Sequence, residues 1–144
     1  MGKVNSFSKE EALHTYRNAW KTNEIDENFY ADDIAFYAPM KVFKGKKDVL
    51  SALKNWFGLI QNVTDCSYVV NKDIGSVLSR IFANNTGGEP YSFWEYDYFQ
   101  FNERNQIKLY RPIFDTGAAT HDLLGFDIAA RCTAARRIAD ASKG

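Results

Sequence analysis

Apolar positions recur at helical spacing in the first third of this chain and in alternation over most of the rest. Ser8 and Glu11 have capping-box spacing, with Phe7 placed to staple against Ala12. Behind them Ala12, Leu13, Tyr16, Ala19 and Trp20 recur every three or four positions, which predicts a helix to about Lys21 with one apolar face. A short helical turn is expected at 26–30. Residues 34–38 read as a strand, with Ile34, Phe36 and Ala38 on one side and Ala35 and Tyr37 on the other. Pro39 restricts Ala38 to extended geometry and ends the pairing. Gly45 then leads into a second helix. Its stripe is Val49, Leu50, Leu53, Trp56, Phe57 and Ile60, with Lys47, Asp48, Lys54 and Asn55 opposite.

The remainder is a run of strands. Residues 66–70 alternate, 73–76 read as a turn, and 77–83 form the next strand before a turn at 84–88. A long strand at 91–101 and a hairpin loop at 102–105 lead into a strand at 107–114, where Pro112 suggests an edge or a bulge. In the tail, Ile128, Ala129, Cys132, Ala135 and Ile138 predict a C-terminal helix at about 118–141. Asp127–Arg131 and Arg136–Asp140 sit at supportive spacing on it. Helices with one early strand, followed by an antiparallel meander, make an α+β fold with the helices on one face of a twisted sheet.

Composition narrows the options. One hundred and forty-four residues suit a single domain spanning 1–144. Eighteen basic and eighteen acidic residues cancel, so no global field draws the protein to nucleic acid or to an anionic membrane. Cys66 and Cys132 are far apart, lack metal-ligand spacing and suggest a reducing compartment. The first eight residues have no apolar run of the signal-peptide kind, and no uncharged stretch reaches the ~18 residues of a membrane span. A cytoplasmic location is expected.

Aromatic residues reach 15% of the chain, and their distribution points to chemistry. Alternation along 91–101 puts Tyr91, Phe93, Glu95, Asp97, Phe99 and Phe101 on one face, and Ser92, Trp94, Tyr96, Tyr98 and Gln100 on the other. If the first face meets the helices, the second is expected to meet a second copy of the chain through Trp94, Tyr96 and Tyr98. On the first face two carboxyls stand among four rings. Desolvation and a like-charged neighbour raise a carboxyl's pKa, and a carboxyl held neutral near pH 7 donates a strong hydrogen bond to a carbonyl or enolate oxygen. Ketosteroid isomerase uses such a group. Asp97 is the candidate here. Glu95 reads as a pocket residue whose charge Arg80, Lys108 or Arg111 would pair. A hairpin pairing Phe101 with Gln106 sets Tyr110 opposite Asp97 and brings Phe114 to the same face. A slip of one residue would bring in Arg111 and Ile113 instead.

The stretch from Tyr30 through Asp32, Asp33, Ile34 and Phe36 to Pro39, followed by Gly45 and a helix, resembles the nuclear transport factor 2-like superfamily. So does Tyr96-Asp97-Tyr98-Phe99-Gln100-Phe101-Asn102 running into Gln106-Ile107. The resemblance covers a core at about 8–115. It implies a cone: helices in the concavity of a strongly bent, mainly antiparallel sheet, with a pocket at one end. It includes SnoaL-like polyketide cyclases, ketosteroid isomerases, scytalone dehydratases and limonene epoxide hydrolases. The ketosteroid isomerase pattern places its oxyanion-hole tyrosine at Tyr16 and its aspartate at Asp97, but its general base falls at Ala38, which cannot move a proton. The epoxide hydrolase pattern would use Arg80, but its aspartates fall at Phe82 and Pro112. The dehydratase pattern wants two pocket histidines, whereas His14 and His121 lie in the first helix and the tail.

Together these readings predict Asp97 and Tyr16 as catalytic residues, with Tyr110, Phe36, Trp56, Phe93, Glu95, Phe99 and Phe114 around a hydrophobic substrate. No metal or organic cofactor is implied. The expected chemistry is acid/base cyclisation, isomerisation or dehydration of a polyketide-, terpenoid- or steroid-like compound. A non-catalytic binding or assembly domain is the alternative. Asp32 and Asp33, the lysines at 44, 46 and 47, and the arginines at 131, 136 and 137 read as solvated charges.

Overall fold

A computed structural model describes residues 7–39, 41–84 and 90–114. The predicted turn at 84–88, beyond Asn84, and the whole predicted tail helix lie outside them, as do Asp115, His121 and Cys132.

Helix α1 (Lys9–Thr22) starts where the capping residues place it: the Ser8 hydroxyl accepts the Glu11 backbone N–H at 3.1 Å. It stops at Asn23, whose left-handed φ of 55° lets its N–H reach back to the Ala19 carbonyl. A 3-10 turn (Glu27–Phe29) brings Phe29 against Phe7, ring centroids 4.3 Å apart, so the N-terminal staple closes on this turn. Strand β1 (Tyr30–Tyr37) is longer than its alternation suggested. Its hairpin partner β2 (Val42–Lys44) escaped the sequence reading because three half-exposed residues carry no usable period. Gly45 holds a φ of 87°, and its N–H bonds the Ile34 carbonyl at 2.8 Å, turning the chain into α2 (Lys46–Phe57).

Four strands follow: β3 (Ile60–Asn71), β4 (Ile74–Asn84), β5 (Pro90–Phe101) and β6 (Ile107–Phe114). Two boundaries correct the sequence reading. Ile60 belongs to β3 rather than to the second helix, and residues 74–76 are strand, the turn being Lys72 and Asp73. Gly75 is needed in the strand rather than in a turn, because a Cβ there would lie 2.8 Å from the Phe101 ring.

The sheet order is β2-β1-β6-β5-β4-β3, antiparallel except for the β1–β6 pair. Pro112 therefore sits in an interior strand, not at an edge. Its missing N–H is harmless because the last β1–β6 pair is Phe36 with Tyr110, so beyond that point β6 bonds only to β5. Register shifts in β1, β3 and β6 bend the sheet. In β3 the shift between Thr64 and Ser67 coincides with a φ of 54° at Asp65. Both helices pack on the concave face, α1 against β3 and β4 and α2 against β1 and β2. The core between them includes Leu13, Tyr16, Trp20, Leu53, Phe57, Ile81, Phe99 and Tyr110. Among the described residues, no helix is long and apolar enough to cross a membrane.

Candidate functional site

Alternation along β5 sends Phe93, Glu95, Asp97, Phe99 and Phe101 inward, all buried, while Trp94 and Tyr96 are exposed. On β6 the same parity buries Tyr110 and exposes Arg111 and Ile113. The register corrects one detail of the sequence reading. Tyr110 pairs with Phe99 and Pro112 with Asp97, because Phe101 pairs with Ile107 rather than Gln106 and Lys108 is an extra residue between Ile107 and Leu109. A displacement of two positions preserves the face, so Tyr110 still meets Asp97, diagonally.

Three hydroxyl and carboxyl groups converge there. The Tyr16 hydroxyl lies 3.1 Å from Asp97 Oδ2, the Tyr110 hydroxyl 3.1 Å from Asp97 Oδ1, and the two hydroxyls bond each other. Proton counting makes this ring informative. Two phenols supply two protons for three contacts, so the ring is fully bonded only when Asp97 carries the third. Burial raises the Asp97 pKa to about 6, against the opposing pull of the Tyr110 and Tyr16 hydrogen bonds and the Arg17 charge. Burial, and next the Asp97 charge, push both phenols well above their ordinary range. Near pH 6 the ring thus holds neutral phenols beside a carboxyl at its midpoint, and at neutral pH beside one that is mostly ionised.

Glu95 differs from expectation. Arg80, Lys108 and Arg111 are all exposed, on strand faces pointing away from it, so none of them pairs it. Its side chain is fully buried, and its strongest polar neighbour is the Asp97 carboxyl. Neither Glu95 oxygen has a hydrogen-bond partner. Burial first, then the Asp97 charge, hold its pKa well above the carboxylate range.

Arg17 was missed by the sequence reading. It is 3% exposed on the inner face of α1, and its Nε and Nη2 donate to Cys66 Sγ at 3.0 and 2.7 Å. The signal was present in its spacing: Leu13, Arg17 and Trp20 share a helical face. Ser79, fully buried and directly across from Glu95, was also missed.

An apolar cleft of about 640 Å³ opens between α2, the β1–β2 hairpin and the end of β6. Phe36, Phe43, Trp56, Leu59, Pro112 and Phe114 line it together with Ala38, and Lys41, Asp48 and Asn55 add polar groups. Of the predicted site residues, Phe36, Trp56 and Phe114 lie in its wall; Tyr16, Phe93, Glu95, Asp97, Phe99 and Tyr110 do not. Phe99 is instead a core ring packed on Tyr16 and Tyr110, with centroids 4.9 and 5.1 Å away, and Phe93 packs behind Phe114 at 5.5 Å. The cleft stops one strand short of the acids. Its wall residues Pro112 and Phe114 are the cross-strand partners of Asp97 and Glu95. Phe36 joins the two regions, stacked on Tyr110 at 4.9 Å on one side and on Phe43 at 5.7 Å on the other. Among the described residues, no group of three His, Cys, Asp or Glu side chains is placed to hold a metal ion.

No family model matches the chain, and no curated protein matches it. Solved structures do. An NTF2-like protein of unknown function from Burkholderia pseudomallei K96243 superposes with a TM-score of 0.67 at 12% identity, over 80% of this chain and 96% of that one. A protein assigned as a SnoaL-like polyketide cyclase from Jannaschia sp. CCS1 gives 0.67 at 11% identity, over 85% and 95%. TerC, co-crystallised with polyporic acid, gives 0.65 at 13% identity, over 82% and 98%. The chain has the nuclear transport factor 2-like fold.

Proposed function

We propose that the chain is a small-molecule enzyme doing cofactor-independent acid/base chemistry on a hydrophobic, oxygen-bearing substrate, by cyclisation, isomerisation or dehydration of a polyketide-, terpenoid- or steroid-like compound. The observation that carries this reading is the Tyr16–Asp97–Tyr110 ring, buried directly behind an apolar aromatic cleft. A substrate oxyanion that takes the place of the Tyr16–Tyr110 contact would accept from neutral donors in a desolvated site, where such bonds are strongest. Entry requires Phe36 to swing off Tyr110. Structural neighbours named for polyketide cyclisation, or crystallised with polyporic acid, support a substrate of this class. Standard ketosteroid isomerisation does not suit the site, because Ala38, in the cleft wall, offers no carboxylate.

A second reading, a non-catalytic binding domain, draws on the separation of the cleft from the acids. Affinity for 4-nitrophenol at pH 5–8 distinguishes the two. The enzyme reading expects the phenolate to bind in the order wild type, Asp97→Asn, Asp97→Ala, with the last step down costing about 1.5–3 kcal/mol. Equal affinity across three folded proteins would leave a cleft that ignores Asp97.

In the same reading the outer face of the sheet joins two copies of the chain. Leu78, Tyr96 and Ile113 are direct cross-strand partners in one exposed apolar row, with Trp94 beside them at 50% exposure. Apolar surface of this continuity favours burial in an interface.

A further inference from the structure

A row of inward-facing residues crosses the sheet beside the cleft, and its polar members are unmatched. Ser79 of β4 pairs directly with Glu95 of β5, and Glu95 pairs with Phe114 of β6. Ser79 and Glu95 are both 0% exposed, and among the described residues neither Glu95 oxygen nor Ser79 Oγ has a hydrogen-bond partner. Phe114, the next member of the row, forms part of the cleft wall. Trp56 of α2 stacks on it at 5.8 Å and lines the same cleft. Its indole Nε1 is buried and likewise has no partner. Asp97 differs, because both of its oxygens already face phenol hydroxyls. A buried polar group without a partner costs free energy in the folded chain, so such groups side by side next to a cavity mark what a bound molecule completes.

Hydrogen-bond capacity selects that molecule. Trp56 Nε1 only donates, Glu95 keeps at least one accepting oxygen in either protonation state, and the Ser79 hydroxyl does both. A ligand carbonyl has no proton to offer the Glu95 oxygen, and an ammonium has no lone pair for the Trp56 N–H. A hydroxyl has both. We propose that Glu95, Ser79 and Trp56 form a second polar pole of the cleft, one that takes a ligand hydroxyl and is reached when the Phe114 ring turns aside. The inference rests on the reading above in taking the cleft as the ligand's site, and it narrows the ligand. Glu95 and Asp97 are two residues apart on one face of β5, about 7 Å along the strand. The class selected is a flat aromatic compound with oxygen groups at its two ends, one at the Tyr16–Asp97–Tyr110 ring and a hydroxyl at Glu95. A cleft of about 640 Å³ walled by Phe36, Phe43, Trp56 and Phe114 has room for two fused rings.

Calorimetry at pH 7 with 2-naphthol and 2,6-dihydroxynaphthalene, which differ by one hydroxyl, tests this. The diol is expected to bind the wild type about tenfold more tightly, the worth of one hydrogen bond. Glu95→Met removes the carboxyl and keeps the side-chain length, and in it the advantage should fall to about twofold or less. Folding gives a second readout, which a structural Glu95 would not share. Glu95→Met replaces an unpartnered buried carboxyl by an apolar group of similar shape, so it should melt about 3 °C or more above the wild type. A Glu95→Met protein that melts lower, or that keeps the diol advantage, would overturn the proposal. So would a diol that binds the wild type no more tightly than 2-naphthol, even where nitrophenol affinity follows Asp97. Failure of the Asp97 reading looks different: nitrophenol affinity is then equal across the Asp97 series, while the diol advantage still disappears in Glu95→Met and the second pole stands.

Discussion

The open cleft and the sealed chamber behind it are built from neighbouring residues of the same strands, yet they follow opposite physical rules. In the cleft, rings stand around an open volume, and its charged groups, Lys41 and Asp48, are exposed to water. In the chamber, rings enclose Glu95, Asp97 and Arg17 with almost no solvent contact. A side chain in the cleft can change with little cost to folding. In the chamber each polar atom is either matched or a liability. The difference suggests a division of labour, with recognition at the mouth and proton handling behind it, joined through Phe36.

Truncation should reveal the largest contrast. Tyr16→Ala removes a buried ring that contacts Trp20, Phe57, Phe99 and Tyr110 and should cost about 3–5 kcal/mol in denaturant unfolding. Trp56→Ala, at a half-buried cleft position, should cost under about 2 kcal/mol and chiefly weaken nitrophenol binding. Equal losses would erase the distinction between the regions.

Acidity offers the next test. The folded Asp97 pKa, about 6, lies above its ordinary 3.8, so folding favours the protonated form. That contribution is complete below pH 4, declines as pH rises, and is gone beyond about 6. Relative to Asp97→Asn, the wild type should therefore lose on the order of 3 kcal/mol between pH 4 and 7 in paired urea titrations. A flat difference would mean that Asp97 is solvated. A smaller effect is expected from Tyr16→Phe, which keeps the ring and removes one donor, at about 1–3 kcal/mol. Smallest for folding is Tyr96→Glu on the outer face, expected within about 0.5 kcal/mol for the single chain. Its effect should be on assembly instead: light scattering should show dimers for wild type at micromolar concentration and monomers for this variant. A monomeric wild type would remove the interface.

Much of this contrast was legible in the residues. The alternation along β5 separated Asp97 and Phe99 from Trp94 and Tyr96, because a strand flanked by helices on one side must divide its side chains. Helical spacing likewise placed Tyr16 and Trp20 inside. What escaped was set by tertiary geometry. Arg17 was passed over because arginine is usually solvated, although its spacing put it inward. Glu95 could not be told from a paired acid without knowing that the nearby cations point outward. The separation of cleft from acids depends on sheet curvature and on Phe36 stacking over Tyr110, neither of which is written in a one-dimensional period.

The central claim is that the Tyr16–Asp97–Tyr110 ring receives a ligand oxyanion through the cleft. The most direct measurement is a structure of the protein with 4-nitrophenolate bound. The phenolate oxygen is expected within hydrogen-bond reach of Tyr16 and Asp97, about 2.5–3.0 Å, with Phe36 rotated off Tyr110. A nitrophenolate held between Trp56 and Phe114 at the mouth, above an undisturbed ring, would contradict it.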